Sequence, residues 1–508
     1  MALSVASCAT DELVLAPSTP SRPWVIPPVS EPLPRPGTVP ASAPPVEPPR
    51  APAPTSPSVP AVASAPQSGA AISVDAVPPV TTTPIDAARR YDLADLIDLA
   101  QRNNPDTRDA WEQARQAALA VGLSETSYVP QIAAEIIGGY QHTPLPVPKN
   151  LVPEGYFTSD TRELIPTLTA KWLLFDFGQR ASAEEAARAN SFVANVSFTG
   201  AHQRLIYLVS RDYFALGAAR GRLRVAEQAL KTALVVEDAS TQRRGRGLST
   251  TVELAQSQRQ TAQARFSLTQ ATGAEHAAYA ALIASIGIAP KNRLEVRDSS
   301  ELALPSAPSG DVDQLVQDAL ANRPDIIAAL GKVRAAEAEL KGARATYYPT
   351  LGLETQVYQN VGGLSTQGSP YYSVNEPGAN VLLKLSLPLY DGGARDARVA
   401  VARSQIEAAR DAVDRAKVSA VRQVTDAYDQ LRTSFAEYEA ALTLNRTAQT
   451  AYDSALDAYR HGVGTYTDVV TEETVLSQAQ SKREDAHANV LTAAAALAFA
   501  TGDMPAPQ

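Results

Sequence analysis

Asn104-Pro105-Asp106 opens a stretch that closes at Tyr128-Val129-Pro130. It returns 219 positions later as Arg323-Pro324-Asp325 through Tyr347-Tyr348-Pro349. Arg115 returns as Arg334, and no gap is needed between Pro105 and Pro130. Self-similarity at a fixed spacing decides architecture before any single residue does. The chain reads as one folding unit written twice.

Each copy carries the same order of signals. Leu93, Leu96, Ile97 and Ala100 recur at helical spacing, and Asn104-Pro105 interrupts them. A proline there suits the first position of a second helix. The helical run ends at Val129-Pro130, because the residue before proline avoids the α region. Two strand-like stretches follow. Leu164, Leu168, Ala170, Trp172 and Leu174 alternate with Thr167, Thr169, Lys171 and Leu173 in copy one. In copy two Leu351, Leu353, Thr355 and Val357 form one series, and Val381, Leu383, Leu385, Leu387 and Leu389 the other. Loops are expected at about 143–162 and 360–378. Trp172 suits an interfacial anchor or packing against a helix.

The strand pairs end in Phe175-Asp176-Phe177-Gly178 and Tyr390-Asp391-Gly392-Gly393. Proline-free, alanine-rich helices are expected next, from Arg180 to Thr241 and from Ala394 to Tyr459. At 1.5 Å per residue each is roughly 100 Å long. In the second, residues from Ile406 and Val413 to Leu431 and Leu442 step by threes and fours, a coiled-coil seam. Glycine-bearing turns, Gly245-Arg246-Gly247 and Gly462-Val463-Gly464, end both helices. Shorter helices are expected from Thr250 to Ile286 and Thr467 to Thr501. Their lengths suggest that two short helices stacked end to end match one long helix.

Two units supply four strands. Four strands cannot close a barrel, and an open edge in a bilayer leaves backbone groups unpaired. Membrane strands therefore require several chains, and three chains give a twelve-stranded pore continued by a hollow helical cylinder. No run of 18 apolar residues exists, so no transmembrane helix is expected. The 508 residues carry 45 basic and 54 acidic side chains, a net charge of −9, which argues against a nucleic-acid partner. One cysteine excludes a disulfide framework or thiolate metal site. His142, His202, His276, His461 and His487 show no metal-ligand spacing and read as surface or loop residues. No acid, base and nucleophile constellation is visible, so no enzyme and no cofactor are expected. The rival reading is a soluble periplasmic coiled-coil scaffold whose strands are short hairpins.

The Asn-x-Pro-Asp helix, the Tyr-x-Pro strand entry, the Leu-Phe-Asp-Phe-Gly and Leu-Tyr-Asp-Gly-Gly turns and the Arg-x-Gly-x-Gly tips together resemble the TolC-like outer-membrane efflux proteins over residues 91–502. The resemblance implies a mainly α fold with membrane β: four strands per chain in a 12-stranded trimeric barrel, continued by a long periplasmic α-helical coiled-coil barrel. It implies a Gram-negative outer-membrane homotrimer, in contact with lipid. That homotrimer is a passive exit duct for efflux or type I secretion. Its implied partners are a periplasmic adaptor and an inner-membrane pump of RND, ABC or MFS type.

Two sites carry over by position. The adaptor-docking tips are Arg244, Gly245, Gly247, Leu248, Ser249 and Thr250, then Arg460, Gly462, Val463, Gly464, Thr465 and Tyr466. The pore gate comprises Asp468, with Thr471 and Thr251 where the family often has further acids, and Glu472 and Glu473 as other sources of charge. Val5-Ala6-Ser7-Cys8 resembles a bacterial lipobox with Cys8 as the lipidated residue, although only seven residues precede it. The expected segments are a truncated lipoprotein signal at 1–16, a Pro/Ala-rich disordered tether at 17–90, repeats at 91–300 and 301–502, and a tail at 503–508.

Overall fold

A computed structural model of the chain describes residues 15–25, 89–247, 249–289, 294–308, 310–461 and 463–504. Cys8, Leu248, Gly462, most of the expected tether and the last four residues lie outside these. Copy one comprises β1 (Arg90–Tyr91), α1 (Leu93–Asn103), α2 (Pro105–Glu125), β2 (Gln131–Pro146), β3 (Tyr156–Phe175), α3 (Gln179–Gly245) and α4 (Thr251–Ile286). Copy two comprises β4 (Glu295–Val296), α5 (Val312–Asn322), α6 (Pro324–Ala345), β5 (Thr350–Thr366), β6 (Tyr372–Ser386), α7 (Ala394–Arg460) and α8 (Tyr466–Thr501).

The Pro105 and Pro324 breaks do the same job. Asn104 accepts from the Asp106 N–H as the cap of α2 and donates to the Ser285 carbonyl at the end of α4. Arg323 donates to the Ala500 carbonyl at the end of α8. Each break therefore joins two short helices end to end, α2 on α4 and α6 on α8. Gly287 lets the first joint close: its φ is +81°, and a Cβ there would meet the Asn104 Cα at 2.8 Å. Both stacks run alongside the 67-residue helices α3 and α7. Ile406, Val413, Ala420, Val424 and Leu431 of the expected seam are buried.

The main core lies at the middle of α3. Leu205, Ile206, Val209, Tyr213 and Leu216 pack under α1, β1, β4, the end of α4, and Ala488 and Leu491 of α8. Higher on α3, residues 15–25 form a strap. Asn195 donates to the Leu15 carbonyl, Thr199 to the Trp24 carbonyl and Trp111 to the Pro17 carbonyl. The Trp24 ring meets Phe192 edge-on. Residues 17–25 were expected as disordered tether. They are instead docked, because Trp24, with Ala16 just ahead of the stretch, gives this otherwise proline-rich segment something to bury.

The four long strands form one open antiparallel sheet in the order β2-β3-β5-β6. They outrun the predicted strands, and the expected loops shrink to 147–155 and 367–371. Threonines and glycines extend the ladders beyond the apolar alternation that the sequence shows. The register sorts the side chains. Ile132, Leu168, Trp172, Leu353, Val357, Val381 and Leu383 share one face. Glu135, Thr167, Thr169, Lys171, Glu354, Gln356 and Lys384 share the other. Leu168, Ile136 and Leu385 are 52%, 73% and 70% exposed, an apolar surface that water would not tolerate and lipid would cover. At the sheet's helical end stand Tyr128, Trp172, Phe175, Phe177, Tyr348 and Tyr390, all exposed, in the manner of an interfacial aromatic belt.

One shoulder motif is built twice where strand meets helix. Arg180 pairs with Asp176 at 3.0 Å, donates to the Leu173 carbonyl and lies over the Tyr128 ring. Arg395 pairs with Asp391 at 3.0 Å, donates to the Pro388 carbonyl and lies over Tyr347. The Asp of the turn and the Tyr of the strand entry recur because one arginine joins them.

Candidate functional site

The far end of the helical part holds two helical hairpin tips, α3–α4 and α7–α8. In the first, the Arg246 and Gly247 amides donate to the Arg243 and Arg244 carbonyls, closing the helix. Thr250 then caps α4. Its hydroxyl accepts from the Glu253 amide, and the Glu253 carboxylate accepts from the Thr250 amide and the Ser249 hydroxyl. In the second tip the amides of Val463 and Gly464 both donate to the Ala458 carbonyl. A Cβ on Gly464 would meet the Ala458 Cβ at 3.0 Å, so this glycine allows the tight return. Thr465 caps α8 through the matching box with Asp468.

Arg244, Gly245, Gly247, Thr250, Arg460, Val463 and Thr465 are exposed at these ends, and Ser249 and Gly464 half-buried. Tyr466 is buried, and burial pushes its phenol up to about 12. Thr251, Asp468 and Thr471 are exposed, and Glu472 is half-buried. Asp468 is occupied as the cap partner of Thr465, whose hydroxyl and amide hold its carboxyl below the usual range. Glu473 is not an open charge at the mouth. It is 7% exposed beneath the tip, because it faces the helix packing and not the turn.

The copies also match here more closely than a threonine at 251, where the family often has an acid, suggests. The capping boxes align Thr250 with Thr465 and Glu253 with Asp468. Glu253 is an acid absent from the expected gate residues, and its signal is the Thr-x-x-Glu spacing. A second missed feature joins the tips. Arg243 donates to the Tyr459 hydroxyl at 2.6 Å and lies 5.2 Å from the Tyr459 ring centre. Tyr459 in turn meets Tyr466 edge-on. No local spacing signals a contact between residues 216 positions apart.

His202 departs from the surface reading of the histidines. It is fully buried beneath the strap, bonded through Nε2 to the Pro20 carbonyl, and burial pushes its imidazole down to about 4.

A family model described as outer membrane efflux protein matches residues 96–288 and 315–503. The chain belongs to the outer membrane efflux protein family. Relatives of this family include Protein CyaE of Bordetella pertussis, 28% identical over 423 residues, 83% of this chain and 86% of that protein. The cation efflux system protein CusC of Escherichia coli K12 is 25% identical over 395 residues, 74% and 79% of the two chains. Among solved structures, CusC superposes with a TM-score of 0.67 at 22% identity, covering 81% of this chain and 92% of the other. The open-state MtrE channel of Neisseria gonorrhoeae gives 0.63 at 22%, covering 81% and 88%.

Family membership places the chain in the Gram-negative outer membrane, with its helices in the periplasm, as a channel protein of tripartite efflux or secretion systems. The pore is favoured over the soluble scaffold, and the apolar sheet face with two unpaired edges agrees.

Proposed function

We propose that three copies of this chain form an exit duct whose helical mouth is closed by the paired hairpin tips and docked by a periplasmic adaptor. An inner-membrane pump of RND, ABC or MFS type supplies the energy. The observation that carries the tip reading is the Arg243–Tyr459 hydrogen bond, which ties the first hairpin to the second at the mouth. Around it, Glu253, Asp468 and Glu472 set the charge at the constriction, and Thr251 and Thr471 line it. Acidic groups repeated by threefold symmetry in a narrow lumen favour cations. Arg244, Arg460 and Val463 are the exposed side chains offered to an adaptor, with Gly245, Gly247, Ser249, Thr250, Gly464 and Thr465 shaping the turns. Tyr466 supports the second turn from beneath.

Cys8 is the proposed lipidation site. The strap holds Leu15 at Asn195, which lies roughly 25 Å along α3 from the strand ends at Gly178. Seven extended residues span about the same distance, so Cys8 can reach the membrane surface. A mass shift of one triacyl group on wild-type protein, absent from Cys8→Ser, tests this.

The experiment for the duct itself is site-specific photocrosslinking from Val463 in cells. The proposal expects an adduct with a periplasmic protein whose gene adjoins a pump gene. Crosslinks only to lipid or to lumenal cargo would contradict it.

A further inference from the structure

The strongest unexplained group in the molecule is the Glu473 carboxyl. It is buried on α8, seven residues from the start of that helix, and its Oε1 has no hydrogen-bond partner. It lines a cavity of about 520 Å³ between α3, α4 and α8. The corresponding position in the first hairpin is Gln258, which carries no charge.

The groups around Glu473 offer it nothing to balance a negative charge. α4 contributes the neutral amides of Gln260, Gln263 and Gln270 to the cavity. α3 contributes Arg222, which is engaged with Asp485 at 3.4 Å. α7 contributes Tyr452, and α8 itself contributes Tyr466; both phenols lie close enough to feel the Glu473 charge. Glu253 and Arg259 of α4 also lie within electrostatic reach of Tyr466. A carboxylate in such a place is costly unless protonated.

We propose that Glu473 is a proton-operated support of the closed tip. Protonated, it lets α8 pack tightly; ionised, it draws water into the cavity and loosens the first turns of α8. The proton leaves to periplasmic water through the same cavity, with no other bond made or broken. The route to the mouth is short. Glu473 stands seven residues along α8 from Tyr466, Tyr466 meets Tyr459 edge-on, and Tyr459 accepts a hydrogen bond from Arg243 of the first hairpin. The inference rests on the reading of the tips as the closure. Burial pushes the Glu473 carboxyl up to about 7, so the transition falls within the range of periplasmic pH.

Hydrogen exchange of residues 459–473 in the full-length detergent-solubilised protein tests this, after correction for intrinsic exchange. Wild type is expected to exchange at least tenfold faster at pH 8.5 than at pH 5.5, with a midpoint near 7. Glu473→Gln, which mimics the protonated form, is expected to stay slow throughout. Glu473→Met serves the same purpose if the Gln variant does not fold. A flat wild-type profile, or a variant that keeps the wild-type pH dependence, overturns the proposal. Single-channel conductance on the same samples separates the two readings. A pH switch in exchange without one in conductance keeps Glu473 as the titrating group and rejects the tip as the gate.

Discussion

The Arg243 guanidinium donates to the Tyr459 hydroxyl at 2.6 Å, bridging the ends of the two long helices. One is the last turn of α3 and the other the last turn of α7. This contact makes the two tips one object. Tyr459→Phe removes the hydroxyl and keeps the ring. It is expected to raise single-channel conductance modestly, and Arg243→Ala to raise it more. The double variant is expected to match Arg243→Ala alone, since both remove one interaction. Strict additivity in planar bilayers would show that the residues act separately.

The matched capping boxes give a second prediction. Glu253 and Asp468 occupy equivalent positions, so both are expected to contribute to the field at the mouth. Glu253→Gln and Asp468→Asn are each expected to weaken block by a trivalent cation several-fold, and together more than either. Unchanged block in both would remove these acids from the lumen.

Docking is better tested at Val463 than at Gly464. A Cβ on Gly464 would crowd the Ala458 Cβ at 3.0 Å, so its replacement perturbs the turn itself as well as any docking surface. Val463 is 83% exposed. Val463→Asp is expected to abolish adaptor crosslinking and leave the oligomer intact on a native gel. Retained crosslinking would move the docking surface elsewhere.

The strap should be acid-labile. His202 has a folded pKa of about 4, below the ordinary 6.5, so the folded state binds fewer protons than the unfolded. The stabilisation is present above pH 6.5 and is lost as pH falls from 6.5 towards 4, up to about 3 kcal/mol in all. Limited proteolysis within residues 15–25 is expected to accelerate over that window. His202→Phe is expected to abolish the pH dependence, and a persistent dependence would exclude His202.

Much of this was legible because the chain states it twice. The Pro105 and Pro324 breaks, the turns after β3 and β6 and the glycine tips locate every long helix to within a few residues, whereas the strands run several residues past their apolar alternation. The sequence carries less about the site. Thr250-x-x-Glu253 is a readable cap, but Arg243 and Tyr459 meet only because two 67-residue helices end at the same level. Glu473 looks like a mouth charge in the sequence, since nothing local says that its turn of α8 faces inward. The docked strap hides within a proline-rich stretch whose composition argues for disorder. Only Trp24 hints otherwise.

The central claim is that four strands per chain close only by assembly, with β2 of one copy meeting β6 of the next. Disulfide crosslinking tests this most directly, with Cys8→Ser as background, Ile136→Cys on β2 and a cysteine walked along β6 from Asn375 to Leu385. Oxidation of intact outer membranes is expected to yield covalent species that end at three chains, at one register of the walk. An open ladder beyond three chains, or monomers at every position, would contradict the account.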